Sequence, residues 1–202
     1  MTEGYIKFNY NWEQKEIRIQ DEILGQLQSS RTKLYELGLI GMYPDGIGYG
    51  NISVKSGESS SFIITGSATG QYARLDPRHF ALVTSYNFAR NSISSKGLTK
   101  ASAESLSHAA VYESLPKVGA VVHVHCLGLW ERLLNVIPTT STEIEYGTPE
   151  MARAIQQLIA EMKGDEKVIV MGGHREGILA FGSNPEEATS EILKIYNQYS
   201  ND

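Results

Sequence analysis

The run Ala120-Val121-Val122-His123-Val124-His125 places two imidazoles two residues apart among β-branched residues. Side chains alternate faces along a strand, so His123 and His125 project from one side and can chelate a single ion. By itself such a pair is more often two hydrogen-bonded histidines on a strand edge than a metal site. His174 stands in Gly172-Gly173-His174-Arg175-Glu176-Gly177, a stretch able to bring a side chain close to a sheet end. Three neutral imidazole nitrogens leave a fourth position open, the arrangement catalytic zinc uses. Glu104 lies at the start of the helix predicted ahead of the histidine strand, where the helix dipole favours any carboxylate. Beside a divalent cation it can act as general base, or fill the open position until substrate displaces it. His108, four residues on, shares its face and is read as packing or orienting.

Elements of both periods are needed to hold these groups. Leu24, Leu27, Leu34 and Leu37 predict an amphipathic helix over 16–37, ended by Gly38 and followed by a Pro44-Asp45-Gly46 turn. Runs at 51–54 and 61–65 predict a hairpin joined by a Ser/Gly turn, with a further strand over 80–86. A helix over 102–115 stops at Pro116 and leads into the strand 120–125. Thr148 as N-cap, Pro149 at the first helical position and a one-face apolar pattern through Met162 predict the next helix, closed by Gly164. Strands over 167–171 and 178–181 flank the His174 loop, and Asn184-Pro185 opens a last helix. Helices interleave with hairpins, and hairpins have no place in a wholly parallel sheet. A three-layer α/β/α fold with a central mixed sheet is therefore expected.

The glycines near 46–50 do not form a dinucleotide fingerprint, since Asn51 stands where the third glycine belongs and no helix follows. Gly50-Asn51-Ile52-Ser53, Thr65-Gly66-Ser67-Ala68-Thr69-Gly70 and Lys100-Ala101-Ser102-Ala103-Glu104 instead read as three turns. Converged, they would offer backbone N–H groups and hydroxyls to an anion. The 202 residues carry 18 Lys+Arg against 23 Asp+Glu, a net charge of −5 without blocks of like charge. That charge pattern argues against nucleic-acid and anionic-membrane partners and leaves a small-molecule substrate. Cys126 is the only cysteine, which excludes an intrachain disulfide and a thiolate metal cluster and fits a reducing compartment. Without a basic leader or an apolar run of spanning length, one domain over 1–202 in the cytoplasm is expected.

Taken in order, Gly50-Asn51-Ile52-Ser53, Ile63 to Gly70, Ser102-Ala103-Glu104 with His108 and Tyr112, Val121 to His125, Tyr146-Gly147-Thr148 and His174 with Gly177 resemble the class II aldolase and adducin-head family. The resemblance runs from about residue 20 to the end and implies a three-layer fold with a largely antiparallel sheet. It further implies zinc, or another divalent first-row metal, held by His123, His125 and His174, and Glu104 as the proton-transferring residue. Asn51, Thr69, Gly70 and Ser102 match the phosphate-binding loops. A homotetramer with active sites between neighbouring subunits is also implied. The corresponding reaction is a lyase's: C–C cleavage of a small hydroxy-ketone or sugar, with the carbanion held by the metal as an enediolate.

Particular residues depart from the sugar-phosphate aldolases of that family. Ala103 replaces a second phosphate-binding serine, which removes one hydroxyl donor. Glu143 occupies the approximate place of a tyrosine proton donor and is assigned a catalytic acid or base role. Arg175 sets a cation beside His174. A ribulose-phosphate 4-epimerase, a sugar-phosphate dehydratase or decarboxylase, and a non-catalytic adducin-like assembly module remain the alternatives.

Overall fold

The computed structural model describes residues 6–57 and 60–199. Residues 1–5, which entered the leader reading, and 58–59, part of the predicted hairpin turn, lie outside it. The strands are β1 (Asn9–Gln14), β2 (Gly41–Met42), β3 (Gly48–Tyr49), β4 (Asn51–Lys55) and β5 (Phe62–Thr65), then β6 (Phe80–Asn87), β7 (Ser92–Gly97), β8 (Ala120–His125), β9 (Val168–Val170) and β10 (Gly177–Gly182). Eight of them form one sheet in the order β1-β7-β6-β5-β4-β8-β10-β9, and β2 pairs with β3 separately. Every ladder of the large sheet is antiparallel except β1 on β7. The mixed, largely antiparallel sheet expected from the sequence is the one observed.

The helices are α1 (Asp21–Glu36), α2 (Ser105–Ser114), α3 (Leu127–Leu133), α4 (Pro149–Glu161) and α5 (Pro185–Tyr199). Strand alternation sorts the core into two layers. Val121 of β8 and Leu179 of β10 join Ala109 and Ala110 of α2 and Met151 and Ile155 of α4 on one face. Val122 and Val124, with Ile178, join Leu27 of α1, Leu129 of α3 and Ile192 of α5 on the other. His123 and His125 therefore fall on the α2/α4 side, in register with Val121. Among the described residues, no helix is long and apolar enough to cross a membrane.

Local chemistry accounts for the element ends. The first helix, expected from residue 16, begins only at Asp21, where two acidic residues meet the positive end of the helix dipole. In α4, Thr148 Oγ1 accepts the Met151 N–H at 3.2 Å and Pro149 sits at the first turn. Five elements escape the sequence reading: the parallel edge strand β1, its partner β7, the short helix α3, and the two-residue strands β2 and β3. Side chains fasten β1, for the Trp12 Nε1–H donates to Gly97 O at 2.9 Å and the Ala101 N–H donates to the Tyr10 hydroxyl at 2.6 Å. These bonds hold the segment that leads into Ser102 and Glu104.

Candidate metal centre

Antiparallel pairing on both sides of β8 fixes where its histidines sit. His123 lies opposite Asn51 of β4 and Leu179 of β10, and His125 opposite Gly177. His174 reaches the same point from the loop between β9 and β10. That loop is a pair of tight turns, with the His174 N–H on Met171 O at 3.1 Å and the Gly177 N–H on His174 O at 2.8 Å. It packs so closely that a Cβ at Gly173 would sit 1.8 Å from Ile144 O, a separation only glycine avoids. The three imidazoles are buried, and their ligand atoms lie within 4.8 Å of one another.

The donor set fits a divalent cation. His123 Nδ1 lies 3.3 Å from Ile178 O, which can only accept, so Nδ1 carries the proton and Nε2 presents a lone pair. That Nε2 stands 2.9 Å from His125 Nε2, near the ~3.3 Å between two nitrogens tetrahedrally bound to zinc at ~2.0–2.1 Å. Burial, followed by the neighbouring imidazoles, holds the His123 pKa well below 6.5, and burial and His174 do the same for His125. Both rings are thereby kept neutral, the protonation state in which imidazole binds metal.

Glu104 lies at the N-cap position of α2 rather than inside its first turn, and its carboxylate makes no capping bond. The side chain turns instead toward the histidines. Ser107 Oγ donates to Oε2 at 2.7 Å, while Oε1 lies 3.9 Å from His174 Nδ1. Oε1 is buried with no hydrogen-bond partner among the described residues. A buried carboxylate oxygen left this way is costly unless a cation or a substrate proton satisfies it.

A cavity of about 220 Å³ opens over the cluster, and Asn51, Thr69, Gly70, Ser102 and Glu104 line it with the three histidines. Asn51 Oδ1 is buried without a partner among the described residues. Thr69 Oγ1 spends its proton on Gly66 O at 2.8 Å and so faces the cavity as an acceptor. The 66–70 loop is anchored twice. The Ser67 N–H donates to Lys100 O at 2.8 Å, and buried Arg31 of α1 donates to Thr69 O at 3.2 Å and Ala73 O at 3.1 Å. Burial lowers the Arg31 pKa to about 10.

Two residues singled out in the sequence stand apart from this cavity. Glu143 is exposed in the loop before α4, with its N–H on Ser141 Oγ at 3.3 Å, and Arg175 is exposed beyond His174. Neither lines the cavity. Sequence reasoning gave no site role to Tyr146, whose ring stacks on His174 at 4.4 Å and 22°. It gave none to Tyr43 either, whose hydroxyl lies 2.9 Å from His125 Nδ1. Tyr146 stood next to a helix cap and Tyr43 next to a turn, so both read as punctuation.

Comparison with known proteins brings in relatives of this arrangement. Residues 41–197 match the family model described as Class II Aldolase and Adducin N-terminal domain. No curated protein matches the chain. Among solved structures, YgbL of Klebsiella pneumoniae superposes with a TM-score of 0.67 at 18% identity, covering 91% of this chain and 89% of that one. An L-fuculose 1-phosphate aldolase superposes at 0.63 and 20% identity, covering 91% and 88%. A sugar-phosphate aldolase from Thermotoga maritima does so at 0.64 and 16% identity, covering 89% and 92%. At these identities the superpositions speak for the fold, and the family match spans most of the sequence. The chain belongs to the class II aldolase and adducin N-terminal domain family.

Proposed function

We propose that the chain is a divalent-metal-dependent lyase of the class II aldolase type, cleaving a C–C bond in a small hydroxy-ketone or sugar. The carrying observation is the convergence of three buried imidazoles beside a carboxylate oxygen that nothing else in the described structure satisfies. His123, His125 and His174 would hold the metal, zinc or another first-row divalent ion. When bound, such an ion supplies Lewis-acid stabilisation of the negative charge that develops on the substrate's carbonyl oxygen. Asn51, Ser102 and the 66–70 backbone bind and orient the polar end of the substrate. Glu104 holds or moves the proton at Oε1, with Ser107 fixing the other oxygen. Tyr146 covers His174 and limits water on that side. Glu143 remains in this reading only as an acid or base reached from outside the cavity. A homotetramer with sites between subunits completes the proposal on the strength of the family resemblance.

Metal analysis and turnover test it together. About one ion per chain is expected, lost in the His123→Ala/His125→Ala double variant. Glu104→Gln should keep the metal and lower turnover on a cleavable hydroxy-ketone or sugar phosphate by about 10²–10⁴-fold. A Glu104→Gln enzyme with undiminished rate defeats the proton-transfer role. Product analysis separates cleavage from epimerisation and dehydration, and protein that takes up no metal even after reconstitution points to an assembly module.

A further inference from the structure

Beside His125, on two residues that do not themselves line the cavity, the chain builds a second polar contact that the proposed chemistry does not use. Tyr43 sits in the β2–β3 hairpin, held by its own turn: its N–H donates to Ile47 O at 2.8 Å and its O accepts the Gly46 N–H at 2.9 Å. Its ring packs on Tyr49 at 4.4 Å between centroids, and Tyr49 in turn lies 5.5 Å from the His125 ring. The Tyr43 hydroxyl donates to Glu176 Oε2 at 2.7 Å and lies 2.9 Å from His125 Nδ1. A phenol has one proton. Because a carboxylate can only accept, that proton belongs to the Glu176 bond, and the hydroxyl oxygen must accept from His125 Nδ1–H. A neutral imidazole protonated at Nδ1 is bare at Nε2, the nitrogen that faces His123 Nε2 at 2.9 Å.

Glu176 shows a second, independent sign of use. Its φ is +75°, in the left-handed region, where glycine is at ease and a glutamate is strained. Neighbouring positions of the same loop carry glycine, at 172, 173 and 177. A side chain kept at a strained position is informative when it makes a specific contact, and this one does. Its carboxylate accepts the hydrogen bond of the Tyr43 hydroxyl, while its backbone O, independently of the side chain, accepts the Cys126 N–H at 3.0 Å at the end of the histidine strand.

We propose that Tyr43 and Glu176 are positioning residues of the metal centre: Glu176 orients the Tyr43 hydroxyl, and Tyr43 locks His125 as the Nδ1–H tautomer with Nε2 aimed at the ion. The inference rests on the metal-centre reading above and adds two residues to it. With His123 fixed in the same tautomer by Ile178 O, two lone pairs face each other at 2.9 Å. That arrangement is repulsive alone and favourable around a shared cation. The carboxylate at the far end of the relay also raises the donor strength of His125.

The test reads tautomer and metal affinity separately. Long-range nitrogen NMR of the metal-free wild type should show His125 protonated at Nδ1, and Tyr43→Phe should give a mixture of tautomers. In competition with a chromogenic chelator, Tyr43→Phe should weaken zinc binding by about 10–100-fold. Glu176→Gln keeps an acceptor oxygen but loses the charge, so a smaller weakening is expected. The Tyr43→Phe/Glu176→Gln double variant should bind no more weakly than Tyr43→Phe, because Glu176 acts through the hydroxyl. A cobalt-substituted protein should show the same ranking in its visible spectrum. An unchanged tautomer, or zinc affinity of Tyr43→Phe within about twofold of wild type, overturns the relay while leaving the metal centre standing. A wild type that binds no zinc removes both.

Discussion

His108 and His123 are both fully buried, and their surroundings ask different things of them. His123 meets two other imidazoles. His108 Nδ1 meets Ser53 Oγ at 2.7 Å, and that hydroxyl also lies 2.7 Å from the Tyr112 hydroxyl, so the ring belongs to a small polar cluster between β4 and α2. Burial lowers the His108 pKa to about 3. The folded value lies below the unfolded ~6.5, so protonation favours the unfolded chain. The corresponding stability is present above pH ~6.5 and is lost as pH falls toward about 3. Between pH 7 and pH 5 this one group should remove about 2 kcal/mol, and the pH 7 to pH 5 difference in urea unfolding should shrink by that amount in His108→Asn. An equal pH response in the two proteins contradicts the assignment. The sequence already placed His108 as a packing or orienting residue, because it follows Glu104 by four on a helix. Tyr43 and Glu176 were not legible in the same way. Their meaning depends on a contact across 133 residues, which no local spacing encodes.

At the scale of elements, the site depends on how tightly its loops are folded onto the sheet. Gly173 lets the β9–β10 loop lie against Ile144 O, and an added Cβ at 1.8 Å can be accommodated only by moving backbone. Gly173→Ala should therefore cost about 2–3 kcal/mol in unfolding and carry His174 out of line. Zinc affinity is expected to fall in the same variant; a retained affinity with only a stability loss shows that the loop reseats. Strand β8 and helix α4 were legible because their periods and caps agree: three alternating positions on one face, and Thr148-Pro149 at a helix start. The start of α1 was not, since Glu16 to Gln20 continue the helical composition without a cap and the helix begins only at Asp21. Strand β7, Ser92-Ile93-Ser94-Ser95-Lys96-Gly97, has one large apolar side chain, too few to show alternation. Its place comes from pairing with β6 and β1 rather than from its own composition.

For the whole molecule, the sheet order sets which parts open first. β8 is buried along its length and flanked by β4 and β10, whereas β1 is an edge strand, exposed at Asn9, Asn11, Glu13 and Gln14. Hydrogen exchange should reach the β1 amides well before those of β8, with β4 and β10 protected alongside β8. Exchange of β1 and β8 at one common rate indicates a single opening of the whole sheet. The same edge has a meaning for synthesis. Tyr10 finds its partner Ser95 only 85 residues further along the chain. At ~5–20 residues per second, the ribosome needs roughly 4 to 17 seconds to deliver that partner. During that interval Tyr10 and Trp12 of the nascent chain have no strand to lie on. β1, made before every other strand of the sheet, can be seated only after the hairpin it borders has been made.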